Sequence, residues 1–389
     1  MCIRDRLELS VEACDIEGGT AVLHNFSNGA ELKNCTIQGT GTVISQSNGA
    51  RVFDTEIRSC TTLVSDSDNV TIKRCMVWDT GGTAINSSSG LTLHQTLFNG
   101  GETFGEAISG TLDTVKITGY SRGILSTTGD LTVINTIIEN ITGAGINGDM
   151  HNLLLSDVIL RNCGTGIQNA NHITAENLTI TECTTGLKKV GLTVTGLTMR
   201  SNVIAGIDVG CSIKGTLIDG HLPDGTNGEG LTIQGDLTAE EVTFRNLHNP
   251  INATGAVTLT NCTLSDNTGT EIVGDTVATQ STHTVRSVDI ANQTGPVYTP
   301  QTVGGIYDLK VENCTITNCG TVISGFRDPQ DPSKGSVEIT NVTFQNCVTE
   351  IENSANILIR ESEFNGLIRD CENVEIYNTA FNSSPAIQN

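Results

Sequence analysis

The chain has 389 residues, 43 acidic side chains against 21 basic ones for a net charge of −22, and only 4% aromatic residues beside 42 glycines. A surface this acidic repels phosphate backbones and anionic headgroups, which excludes nucleic acid as a partner. No run approaches about 18 apolar residues, so this segment inserts into no membrane.

Residues 1–6 carry charges, fit no repeat and read as a non-native leader. From residue 7 onward one pattern recurs: an apolar residue, four others, then a second apolar residue. The pairs begin Val11/Ile16, Leu32/Ile37, Val52/Ile57 and Ile72/Val77, and continue through Leu112/Ile117, Leu155/Leu160 and Leu259/Leu264 to Ile376/Phe381. The spacing inside a pair is constant, whereas pairs follow each other at 19–22 residues in most of the chain. Fixed strands with variable loops produce that combination. An odd spacing puts the two apolar residues on opposite faces of one straight strand, so both point inward only if the chain turns between them.

The residue two after the first apolar position marks that turn: Asn34, Asn135, Asn177, Asn261, Asn313, Asn341 and Asn378, with Gly or Asp in other coils. These residue types accept a left-handed backbone cheaply. Between turn and second apolar residue lies a further inward column of small or β-branched residues, including Cys14, Cys35, Thr55, Cys75 and Cys262. A third strand follows each pair, with inward residues such as Ile44, Val64, Ile85, Ile108, Ile167, Ile207 and Ile251. The pattern predicts an all-β, right-handed parallel β-helix solenoid of about 18 coils and three parallel sheets, roughly 85 Å long at about 4.8 Å per coil. It occupies 7–389 as a single domain, with longer loops near 219–230, 265–284, 291–308 and 325–336. In the coil at 285–308 the third strand is expected at Val297 or later. The sequence starts and stops in mid-repeat, the expectation for part of a longer protein.

Repeats such as "VTLTNCTLSDN" and "LKVENCTITNC" resemble those of the pectate-lyase-like superfamily of right-handed parallel β-helices. The resemblance spans nearly everything after Arg6. It implies the fold, but that fold carries lyases, hydrolases, phage tailspikes and surface adhesins alike.

The chemistry-bearing residues have strong structural explanations. The 13 cysteines form no C-x-x-C pair, and ten of them fall in two columns of five, as small buried hydrophobes do. Stacked neighbours such as Cys163 and Cys183 lie within disulfide reach if oxidised. N-x-[ST] sequons such as Asn34-Cys35-Thr36 arise from the repeat itself, in which Asn holds the turn and Thr is the next outward residue. In the enzymes that share the fold, the site is on an outer face. The corresponding outward row here runs His24, Ser45, Ser65, Asn86, Ser109 and on through Gln168, mostly Ser, Asn and Gln. It supplies neither the carboxyl pair of a glycosidase nor the base and cation of a lyase. The exception is the step from Lys188 to Asp208, followed by an insertion containing Asp219, His221, Asp224 and Glu229. These six form the candidate ligand-binding cluster, for a sugar or a surface cation such as Ca2+. No catalytic residue, resident metal site or cofactor is assigned.

A second feature is a stripe. The outward residue before each second apolar position is polar in most coils but becomes Met76, Leu97, Ile137 and Ile159 in the middle of the first half. A contiguous apolar stripe on an outer face marks a contact. The reading is a non-catalytic stalk or binding segment of an extracellular or cell-surface protein, contacting polysaccharide or another surface protein. The alternative is a polysaccharide lyase or glycoside hydrolase acting on an extracellular polysaccharide.

Overall fold

The computed structural model describes residues 9–27, 29–148, 152–170, 172–190, 192–208, 211–269, 272–274, 281–300, 307–326, 335–382 and 387–388. Among them there is no helix: the chain is a parallel β-solenoid of about 17 turns, one fewer than the repeat suggests, with three parallel sheets. Two compact units divide it, Met1–Val194 and Thr195–Asn389.

In the first unit the first apolar column stacks in register as Leu32, Val52, Ile72, Leu93 and Leu112. The second stacks as Ile37, Ile57, Val77, Phe98, Ile117, Ile138 and Leu160. All twelve of these side chains are fully buried. Parallel strands buried on their inner face and closed into coils bond every inner backbone group to the coil above or below. The second unit repeats the design with Ala239, Leu259, Val285, Val311 and Ile339 in one column and Ile218, Phe244, Leu264, Ile290, Ile316 and Phe344 in the other.

The corners are left-handed. Asn34, Asn135, Asn177, Asn261, Asn313, Asn341 and Asn378 have φ between 48° and 54°. In most of the described coils two further corners are left-handed as well, and sequence reading misses both. One holds Ser59, Asp79, Asn140, Asn162, Asn292 and Asn318; the other holds Gln46, Asp66, Asn169 and Lys189. Side-chain amides lace the corners coil to coil: Asn341 Nδ2 donates to Asn313 Oδ1 at 2.8 Å, and Asn346 Nδ2 to Asn318 Oδ1 at 3.1 Å.

Some details of the columns add to the sequence reading or depart from it. Cys14 is exposed because no described coil covers its own, and it lines the same end cavity as Val11 and Ile16. Ile85 pairs with Gly105 instead of Ile108. A Cβ on Gly105 would lie 2.9 Å from Ile108 Cδ1, so the isoleucine fills the space that the glycine leaves in the column. The third strand after 285 is Tyr298–Pro300, as expected at Val297 or later, and the backbone of Tyr298 pairs with Ile272 and Ile323. The backbone partner of buried Leu231 is Gly206, one residue earlier than Ile207, where the 219–230 insertion feeds into the sheet.

The left-handed corner gives a direct prediction. Asn261→Val should destabilise the second unit by about 1–2 kcal/mol, the cost of a β-branched residue in that conformation, whereas Asn261→Gly should cost less than half as much. Chemical denaturation checks this, and equal losses in the two variants would contradict it.

Candidate functional site

The insertion begins where the strand Leu217–Asp219 ends. Among the described residues Asp219 is the most enclosed acid of the predicted cluster. Its Oδ2 accepts from Arg245 Nε at 3.0 Å and Nη2 at 2.8 Å, and its Oδ1 accepts from Asn246 Nδ2 at 2.9 Å and from the His221 amide at 3.3 Å. Arg245 stands one coil later in register with Asp219, so the strands themselves deliver the pair. Burial alone would raise the Asp219 pKa. The hydrogen bonds from Asn246 and Arg245 outweigh it and hold the carboxyl below the ordinary aspartate value.

Among the described residues of the cluster, it is the His221 amide that is bonded to Asp219. Asp224 closes a tight turn, its Oδ1 accepting from the Thr226 hydroxyl at 2.6 Å and amide at 3.0 Å, and these bonds lower its pKa. His221 is exposed, and its carbonyl accepts from Ser201 Oγ at 2.9 Å. Glu229 is exposed and stands in register with His248. Lys188 belongs to the first unit, in register with Gln168. The Asp208 backbone pairs with Ile233, and its side chain lies outside the described residues. Among the described residues no three His, Cys, Asp or Glu side chains gather as metal ligands would.

Other outward carboxylates are likewise bound coil to coil. Glu139 is almost wholly buried between Lys116, at 2.8 Å, and Arg161. Burial pushes its pKa up, but the two cations more than offset this and leave it lowered. Asp54 pairs with Arg74 at 2.7 Å, Glu312 with Arg286 at 2.8 Å, and Glu338 with both Lys310 and Arg360. His94 Nδ1 lies 3.1 Å from Asp113 Oδ2, while Thr114 and Asn135 donate to Asp113 Oδ1. These pairs escape sequence reading because their spacing is the local coil length. That length is 26 residues for Asp219 and Arg245 and 22 for Glu139 and Arg161. A cavity of about 280 Å3 at the first described coil is lined mainly by apolar residues, among them Leu9, Val11, Ile16 and Leu32.

The apolar stripe runs through the first unit. Met76, Leu97, Lys116, Ile137 and Ile159 are successive backbone partners on one column. Met76 is 46% exposed and Ile159 36%, and Leu97 and Ile137 are half-buried. Leu154, 45% exposed, stands outward on the preceding strand of the Ile159 coil.

No family model matches the chain, and no curated protein matches it. Among solved structures the chain is similar to a PL6 family alginate lyase, at 8% identity over 98% of this chain and 99% of that one, with a TM-score of 0.25. It is similar to the surface adhesin PfbA of Streptococcus pneumoniae at 10% identity, covering 96% and 91%, with a TM-score of 0.21. It is also similar to a GH87 α-1,3-glucanase catalytic unit of Streptomyces thermodiastaticus at 15% identity, covering 97% and 64%, with a TM-score of 0.22.

Replacing Leu97, Ile137 and Ile159 together with Thr should leave the first unit folded, at a cost of no more than about 1 kcal/mol per site, because these side chains stand outside the core. Ile138→Thr, one residue away and fully buried, should cost several times as much per site. Urea melts of the two variants separate the cases, and cooperative unfolding of the triple variant without denaturant would refute the outward register.

Proposed function

We propose that this chain is a non-catalytic stalk or binding segment of an extracellular or cell-surface protein, one that contacts glycans along its polar outer columns. One observation carries the reading: Asp219, the acid best placed for chemistry, commits both oxygens to Arg245, Asn246 and the His221 amide and is held ionised. A general acid for glycoside cleavage needs the opposite, a carboxyl whose proton is retained near neutrality. A lyase needs a free base beside cations that neutralise the substrate anion. Here Arg245 and Arg161 are spent on protein carboxylates. The Ser, Asn, Gln and Thr of the outer rows offer hydroxyl and amide groups suited to neutral sugars. The net charge of −22 disfavours polyanionic chains. Placement outside the cell rests on the resemblance of the repeats to the pectate-lyase-like superfamily.

Incubation with neutral glucans, pectin and alginate should release no new reducing ends or unsaturated products, while retardation on immobilised neutral glycans should be measurable and weakened by salt-independent competition with free sugar. Turnover of any of these polymers that is lost in His221→Ala or Asp219→Asn would contradict the proposal and favour the lyase or hydrolase reading.

A further inference from the structure

The coil that follows Glu350 is short. From the second apolar column to the third, Ile316 to Ile323 and Phe344 to Ile351 each span seven positions, but Phe364 to Ile368 spans only four. In a full-length coil, the corner amides of Val348 and Thr349 donate back to the carbonyls of Cys319 and Gly320. The shortened coil has no residues to follow that path. Its corner amides turn instead to a side chain: Asn365 N–H donates to Glu350 Oε1 at 2.8 Å and Gly366 N–H to the same oxygen at 2.6 Å. Asn365 Nδ2 donates to the Phe344 carbonyl at 2.9 Å and closes the remaining gap.

Glu350 occupies a column that is apolar in the two preceding coils, where Val297 and Val322 are fully buried. Glu350 is fully buried too, and its Oε2 has no hydrogen-bond partner. It sits in the strand Thr349–Glu352, at a register shift against Leu367–Arg369. Gly366 is moulded to it: a Cβ there would lie 3.1 Å from Glu350 Cδ and 2.8 Å from the Cys347 carbonyl. The carboxyl therefore does the work of missing peptide groups. It does so in a place that tolerates it neutral and penalises it charged, because a carboxylate there leaves an uncompensated charge on Oε2.

We propose that Glu350 is a proton-operated latch: neutral, it holds the shortened coil against Thr349–Glu352, and ionised, it releases Leu367–Arg369. The surrounding titratable groups do not neutralise it. Cys347, in the same corner, shares a hydrogen bond with Cys319 of the preceding coil. Glu352 and Arg369 are paired with each other on the outer face, and Glu363 accepts from Asn382. Burial raises the Glu350 pKa from 4.5 to about 7, against the lowering effect of the two amides. A carboxyl raised on folding stabilises fully below its unfolded value, near 4.5. That contribution is lost progressively as pH rises through about 7. His283, buried in the same unit, works in the other direction: its pKa is lowered to about 4, so it withdraws stability as pH falls below 6.5. A loss of order on raising the pH thus has the sign that Glu350 gives.

Hydrogen exchange of the intact chain, corrected for intrinsic rates and followed from pH 5 to 8, tests the latch. In the wild type, protection across 363–369 should fall by on the order of tenfold or more, with a ceiling of about 70-fold over this pH range set by the shift in acid constant. Protection in Val257–Thr260 of the same unit should hold. In Glu350→Gln, whose amide keeps the acceptor and cannot ionise, protection across 363–369 should be independent of pH. A wild type with no fall, or a Gln variant with the same fall, overturns the proposal. Should the Gln variant fail to fold, the carboxyl 13C resonance of Glu350 in the wild type decides: titration near 7 supports the latch, and titration near 4.5 overturns it.

Discussion

The left-handed corner is the constraint from which the rest follows. A parallel coil of about 20 residues has to change direction three times, and an L-residue does so in one step only by moving to positive φ. Each such step puts the next inward side chain directly over its counterpart in the coil before. Once Asn34, Asp54 and Arg74 share that conformation, Leu32, Val52 and Ile72 are forced into one column and Ile37, Ile57 and Val77 into another. The Asn ladders add lateral hydrogen bonds, but the register is already fixed by the corners and by the apolar columns that they align.

Stacking also decides the electrostatics. Because outward residues superpose at one coil length, an acid and a base at matching positions of adjacent coils become an ion pair without any special loop. Asp219 with Arg245, Glu139 with Lys116 and Arg161, and Glu338 with Lys310 and Arg360 all arise in this way. The excess of acids over bases remains on the surface as unneutralised charge. What results is a polar, acidic skin whose best-enclosed outward carboxylates are occupied.

The columns of Leu, Val, Ile and Phe were legible in the sequence because each is repeated with constant internal spacing, and the first corner because Asn, Gly and Asp recur there. The other two corners were hidden by their variety. Ser59, Asp79 and Glu182 serve at one and Gln46 and Lys189 at another, since an exposed side chain imposes little beyond the backbone cost. The cluster at Asp219, His221, Asp224 and Glu229 was visible as a charged insertion. The pairing of Asp219 was not, because its partner Arg245 lies one coil of 26 residues away. Glu350 was invisible for the same kind of reason. Its role is set by three positions missing from the following coil, and nothing in its own neighbourhood in the sequence announces that.

The account rests on outer acids that are structural. The most direct measurement is the pH titration of the Asp219 carboxyl, followed by its 13C resonance in the folded chain. A carboxyl lowered on folding stabilises above its unfolded value and loses that contribution as pH falls, so Asp219 should titrate below 3.8 and unit two should weaken in parallel in acid. A midpoint well above 3.8, in the range of a carboxyl that retains its proton near neutrality, would contradict the account and make Asp219 a candidate catalytic acid.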